Sequence, residues 1–312
     1  MAAVTCLSKN RQRALLRYSF ASLLLLCSPI AQAKLNVVAT LPDFGSLARE
    51  IGKDKIDIVV LGKPDEDPHS VNPRPDFVAS LHNADVLIDG GAGLELGWLP
   101  PLLQKARNPK LDVSKPGRVQ AAQGIRLLNI PTTVKHVAGD VHASGNPHFI
   151  VDPIVAKAIA QRIAKSFAAV DSPNAGFYDA NYKQFETAIN AKLQWWLGAL
   201  QRLQDQHVAA YHDSWPYFAH RFGLKIDIFL EPSPGIPPTP SHLSDVIQKM
   251  KRDHVKVILV ELYQDRRIAA QVARASAANV VEVSQLPGGM PGTDSYVNLV
   301  NQLVKRFADA LK

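Results

Sequence analysis

Short apolar runs alternate with helical stretches in two groups, and a long segment with no strand pattern keeps the groups apart. That layout restricts the chain to an α/β architecture in two halves. The first group opens with Leu35-Asn36-Val37-Val38-Ala39-Thr40, a β-branched run that gives way to Pro42 and Gly45. A helix is predicted over 44–51, a strand over 57–61, a helix over 75–81 and a further strand over 85–89. The second group has strands predicted over 207–211, 256–261 and 280–283, with a helix over 266–278. Short apolar strands with helical crossovers argue for parallel sheets. Between the groups, 153–170 reads as a helix stopped by Asp171-Ser172-Pro173, and 174–206 as a longer one. This region is expected to be a rigid connector, with a separate helical subdomain as the alternative. The segment 231–240 holds five prolines, which lack amide donors and cannot sit inside a sheet, so a stiff surface loop is expected there. A helix is predicted to start at Pro240.

The first 33 residues have the order of a secretory leader. Lys9, Arg11, Arg13 and Arg17 precede an apolar run from Phe20 to Leu26, and Ala31-Gln32-Ala33 supplies a cleavage site before Lys34. The run is too short to span a bilayer. Cys27 follows the leucines, but Leu26 stands where a lipoprotein signal wants a small residue, so a free exported product is expected rather than a lipidated one. The leader carries four basic residues and no acidic ones, and its removal lowers the formal net charge from +7 to +3. Cys6 and Cys27 leave with it. A metal site in the mature chain must therefore use nitrogen and oxygen donors. The scattered basic residues give no case for nucleic acid.

Four candidate metal ligands stand in separate turn-like segments: His69 in Asp67-Pro68-His69-Ser70, His148 in Gly145-Asn146-Pro147-His148, His212 in Ala210-Tyr211-His212-Asp213, and Asp294 in Gly292-Thr293-Asp294-Ser295. Three imidazoles and one carboxylate suit a tetrahedral zinc ion. Ligands so far apart in sequence can meet only in a folded chain. Each also has an ordinary reading, as a hydrogen-bonded core histidine or a turn aspartate. His82, His220, His242 and His254 are expected to be solvated on helical stretches. His136 and His142 fall in the loop 135–144, read as surface loop or a weak recruitment patch. Glu95 and Glu261 are expected to anchor turns or ligands, and Trp195 and Trp196 to lie in the core. Gly90-Gly91-Ala92-Gly93 lacks the third glycine of a dinucleotide fingerprint, since Leu96 occupies that position, and reads as a tight turn.

The segment from Asp67 to Pro75 with Ala84-Asp85, Gly91-Ala92-Gly93-Leu94-Glu95, Gly145 to Phe149 with Val151-Asp152-Pro153, Tyr211 to Phe218 with Phe222-Gly223-Leu224, and Pro291 to Tyr296 resemble, in order, the motifs of the metal-binding solute-binding proteins of bacterial zinc and manganese ABC importers. The resemblance covers essentially the whole mature chain. It implies two α/β lobes, each with a parallel-type sheet flanked by helices, joined by a long rigid helix, with metal in the interlobe cleft. The implied division is a signal peptide over 1–33, an amino-terminal lobe over 34–152 with His69 and His148, a helical region over 153–206, and a carboxyl-terminal lobe over 207–312 with His212 and Asp294. A histidine at position 212, where manganese-binding members often carry glutamate, favours Zn(II) as the transported ion over Mn(II). The long His/Asp/Glu-rich loop of many zinc members is missing; His136, Asp140 and His142 are what remain of it.

The resulting expectation is a periplasmic, monomeric protein that captures zinc and hands it to an ABC importer permease in the inner membrane, with a periplasmic metallochaperone as a conceivable further partner. The long helix implies small, stiff adjustments on release. A zinc hydrolase is the rival from another class, but there is no His-Glu-x-x-His pair and a fourth protein ligand would fill the position water needs. An organic-ligand binder of the same architecture would need aromatic and basic residues around a roomy cleft, which the sequence does not gather.

Overall fold

The computed structural model describes residues 33–131 and 142–311. The predicted leader, apart from its last residue, and His136 and Asp140 lie outside the described residues. The described residues from Leu35 onward form one compact unit.

Two four-stranded sheets organise it, and every pairing in both is parallel. The first contains β1 (Leu35–Ala39), β2 (Ile56–Val60), β3 (Val86–Asp89) and β4 (Arg118–Gln120), in the order β2-β1-β3-β4. The second contains β5 (His207–Ala210), β6 (Lys225–Phe229), β7 (Val257–Glu261) and β8 (Asn279–Val283), in the order β6-β5-β7-β8. The strand order is the same in both halves. Central strands are apolar and buried on both faces: β3 and β7 are buried at every position. The edge strands β4 and β6 lie outside the runs predicted from sequence. β4 has three residues, and β6 alternates exposed Lys225 and Asp227 with buried Ile226 and Ile228, a half-buried edge pattern without a continuous apolar run.

Helices flank the sheets: α1 (Pro42–Gly52), α2 (Pro75–Asn83) and α3 (Leu99–Ala106) in the first half, then α4 (Pro153–Val170) and α5 (Ala175–Leu200). The second half carries α6 (Pro216–Phe222), α7 (Pro240–Arg252), α8 (Arg266–Ser276) and α9 (Tyr296–Ala310). Proline stands in the first turn of α1, α2, α3, α4, α6 and α7, where its missing donor costs nothing and its fixed φ suits the helix. Thr239 caps α7 by accepting from the His242 amide, so the helix predicted at Pro240 begins there.

The connector is α5. Its 26 residues span about 39 Å at ~1.5 Å per residue. Near one end, Asn181 Nδ2 donates to the Ile51 carbonyl of α1 at 2.9 Å; near the other, Trp196 Nε1 donates to Asn301 Oδ1 of α9 at 2.9 Å. Trp196 is fully buried, as expected of both tryptophans, whereas its neighbour Trp195, about 100° further round the helix, is 53% exposed. One continuous apolar cluster runs from Leu35 in β1 through α4 and α5 to Phe307 in α9. A smaller cluster lies between the second sheet and α7 and α8. Each fully buried large side chain contributes roughly 1.5–3 kcal/mol, so the shared cluster resists independent movement of the halves. Among the described residues, no helix is long and apolar enough to cross a membrane.

Candidate metal centre

His69 and His148 are presented by the same local device. In Asp67-Pro68-His69, Asp67 Oδ1 accepts from the His69 amide at 2.9 Å; in Asn146-Pro147-His148, Asn146 Oδ1 accepts from the His148 amide at 3.0 Å. Each is a side-chain turn closed over a proline whose φ is fixed, which leaves little freedom at the following Cα. The first turn is fastened further by Trp98 Nε1, which donates to the Pro68 carbonyl at 3.0 Å. Asn146 is fully buried and ties the second turn to other elements. Its amide group donates to the Asp213 carbonyl at 2.6 Å and lies 3.4 Å from His142 Nδ1, and its carbonyl accepts from the Tyr217 hydroxyl at 2.8 Å. His212 follows β5, whose ladder continues through the Tyr211 amide to the Leu259 carbonyl.

These loops bring four imidazoles together. His69, His142, His148 and His212 each offer a ring nitrogen, and the four nitrogens lie within 4.8 Å of one another. His69 Nε2 is 3.1 Å from His148 Nε2, and His212 Nε2 is 3.3 Å from the same atom. Metal–nitrogen bonds of about 2.0–2.1 Å in a tetrahedral shell put neighbouring nitrogens roughly 3.3–3.4 Å apart. The ring centroids are 5.0–5.6 Å apart, and most pairs meet edge to face, as rings aimed at one point must. The donor set therefore fits a divalent transition-metal ion.

The electrostatics agree. Burial first, and then the neighbouring His69, His212 and His142, hold the His148 pKa well below the usual imidazole value, so its ring stays neutral and its lone pair available. His212 Nδ1 lies 2.8 Å from Glu231 Oε2. A carboxylate accepts only, so Nδ1 carries a ring proton and Nε2 is the nitrogen turned toward the cluster.

The sequence expectation and the structure part company at two places. Asp294 is not among the gathered donors. It is exposed, and its Oδ1 accepts from Asn298 Nδ2 at 2.9 Å in the first turn of α9. Its loop is pinned by Thr293, whose buried hydroxyl donates to the Met290 carbonyl at 2.6 Å and accepts from the Met290 amide at 3.1 Å. Thr293 points in, and Asp294 points out. The fourth imidazole is His142, read from sequence as surface loop but only 8% exposed. A turn places it: the Gly145 amide donates to the His142 carbonyl at 2.9 Å, and Gly145 adopts φ +111°, closed to most side chains. The Asn146 amide then reaches back to the ring. His142, four residues before Asn146, carried no stronger signal than that spacing.

The expected turn and anchor roles are filled more simply. Glu95 Oε1 accepts from the Thr40 hydroxyl at 2.6 Å and the Gly90 amide at 2.7 Å, tying the glycine turn to the end of β1. Burial, and then the charge of Asp89, push its carboxyl up to about 8. Glu261 accepts from the Tyr263 hydroxyl at 3.1 Å and lies 3.5 Å from Gln285 Nε2; burial raises its pKa. His82 and His242 are not simply solvated, since each holds a carbonyl, that of Ala106 at 2.8 Å and that of Phe229 at 3.1 Å.

A histidine cluster between two parallel-sheet lobes joined by a long helix defines the class of metal-binding substrate-binding proteins of ABC transporters. The chain belongs to the family described as zinc-uptake complex component A, periplasmic (ZnuA), whose model matches residues 37–310. It is 23% identical over 287 residues to the manganese ABC transporter substrate-binding lipoprotein PsaA of Streptococcus pneumoniae strain TIGR4, covering 89% of each chain. It is 23% identical over 286 residues to the high-affinity zinc uptake system protein ZnuA of Bacillus subtilis strain 168, covering 89% of this chain and 87% of that one. A crystal structure of ZnuA superposes with a TM-score of 0.75 at 25% identity, covering 89% of this chain and all of the other. Members of the family are solute-binding proteins rather than enzymes, which removes the hydrolase reading.

Proposed function

We propose that the protein captures Zn(II) outside the inner membrane and delivers it to an ABC-type permease for import. The observation that carries this reading is the set of four imidazoles whose nitrogens lie within 4.8 Å of one another, those of His69 and His212 at 3.1 and 3.3 Å from His148 Nε2. A donor set made only of imidazole nitrogen favours zinc over manganese, which prefers carboxylate, carbonyl and water oxygen. The proposed ligands are His69, His142, His148 and His212. Asp294, the carboxylate expected from sequence, is left out of this set because its side chain is engaged with Asn298. His148, kept neutral by burial and by its neighbouring rings, can take the place of a water on the ion without first giving up a proton. The leader supports export and the family supports a membrane permease as partner.

The test is calorimetric titration of the metal-free protein with zinc and with manganese, in the wild type and in His142→Ala and Asp294→Ala. One tight zinc site, weaker manganese, an impaired His142 variant and an unaffected Asp294 variant are expected. A normal His142 variant beside a crippled Asp294 variant would restore the three-histidine, one-aspartate shell. Tighter manganese than zinc would overturn the choice of metal.

A further inference from the structure

We infer that Glu231 is a positioning residue of the metal centre, fixing the His212 tautomer and lending negative charge to a shell of neutral ligands. This rests on the metal-capture reading above. Glu231 stands just beyond β6, where the parallel ladder to β5 continues: the Leu230 amide donates to the Ala210 carbonyl and the Glu231 amide to the Tyr211 carbonyl, each at 3.0 Å. This register sets Glu231 beside the residue that precedes His212. Its Oε2 lies 2.8 Å from His212 Nδ1 and also accepts from the Gly235 amide at 3.2 Å. Gly235 has φ +72°, and the loop is closed by a bridge between Ser233 and Ile236. The proline-rich segment is thus a brace that holds a carboxylate behind a ring.

Charge gives the brace its purpose. Four neutral imidazoles around a divalent ion leave two positive charges uncompensated, and Asp294 faces away. A carboxylate bonded to the far nitrogen of a ligating imidazole fixes the ring and makes its other nitrogen a stronger donor. Glu231 supplies through His212 what a direct carboxylate ligand would otherwise give.

The alternative is that Glu231 only staples its loop to β5. Glu231→Ala and Glu231→Gln separate the two, because glutamine can still accept from Nδ1 but carries no charge. Two readouts are needed: the ¹⁵N shifts of His212 in the metal-free protein, and zinc affinity by competition with a chelator. Expected are an Nδ1–H tautomer in the wild type and in Glu231→Gln, and a shift toward Nε2–H in Glu231→Ala. Zinc affinity should fall about 10–100-fold in Glu231→Ala and by less in Glu231→Gln. Should Glu231→Ala fold poorly, Glu231→Gln carries the charge arm alone. Unchanged affinity in both variants, with tight wild-type binding and a crippled His148→Ala control, would overturn the inference and leave the capture reading standing. A wild type that binds no zinc would overturn both.

Discussion

The two sheets share a strand order, yet they equip the centre unequally. The loops that follow β2 and β4 provide His69, His142 and His148, while the second half provides His212 alone, on the loop after β5. The manner of holding differs as well. His69 and His148 are fixed through their own backbones, by Asp67 and Asn146. His212 is held through its ring, by a carboxylate from the neighbouring strand's end. One half forms most of a socket and the other closes it with a single braced side chain. Withdrawal of His212 would open the site without dismantling the rest, a short movement that suits lobes joined by a continuous core.

The strongest way to break this comparison is to delete rings one at a time. His148→Ala removes the nitrogen that lies nearest two others, and zinc affinity should fall by more than ~100-fold, beyond the range for losing a group behind a ligand. His212→Ala leaves the three rings of the first half and should cost less; equal losses, measured by chelator competition, would end the asymmetry. Zinc should next stabilise the whole unit. At a free concentration of 100 times Kd the gain is about 2.7 kcal/mol, and calorimetry should show one transition moving upward. Two transitions, with only one moved, would show halves that unfold separately.

Arg221→Ala tests the seam between α6 of the second half and the start of α4. Its guanidinium holds Asp152 through two bonds of 2.9 and 2.8 Å, and Asp152 also caps α4. Leaving that buried carboxylate unpaired should cost about 1.5–3 kcal/mol in urea unfolding; a loss near zero would mean the seam rests on apolar contact. A last effect, read through pH, concerns Asp43 in the first turn of α1, whose carboxyl burial pushes up to about 7. A raised carboxyl means the folded state binds more protons than the unfolded one above the ordinary value. Its contribution to stability is then complete below about pH 4 and is lost as the pH rises through 7. Metal-free Asp43→Asn should gain stability relative to wild type at pH 8 and much less at pH 4. An equal gain at both would show that Asp43 does not titrate in that window.

Much of this was legible in the chain. Central strands announced themselves because burial on both faces demands continuous apolar runs, as in Val86-Leu87-Ile88 and Val257 to Val260. The edge strands β4 and β6 were missed because one exposed side leaves a short or alternating signature. His69 and His148 stood out because Asp-Pro-His and Asn-Pro-His encode their turns locally. Trp195 and Trp196 could not be told apart without knowing which face of α5 meets α9.

The sequence by itself determined the two αβ groups, the helical stretch between them and the loops that bear His69, His148 and His212, since periodicity and turn chemistry act over a few residues. Tertiary structure alone decided that His142 enters the cluster, that Asp294 leaves it and that Glu231 stands behind His212. Each of these is the direction of one side chain in a loop, and that direction is set by remote partners. Tyr296, two residues after Asp294, is anchored by Ser46 and Ile150 of the first half, and Glu231 reaches His212 only because β6 lies beside β5. Such contacts exist only once the halves have packed.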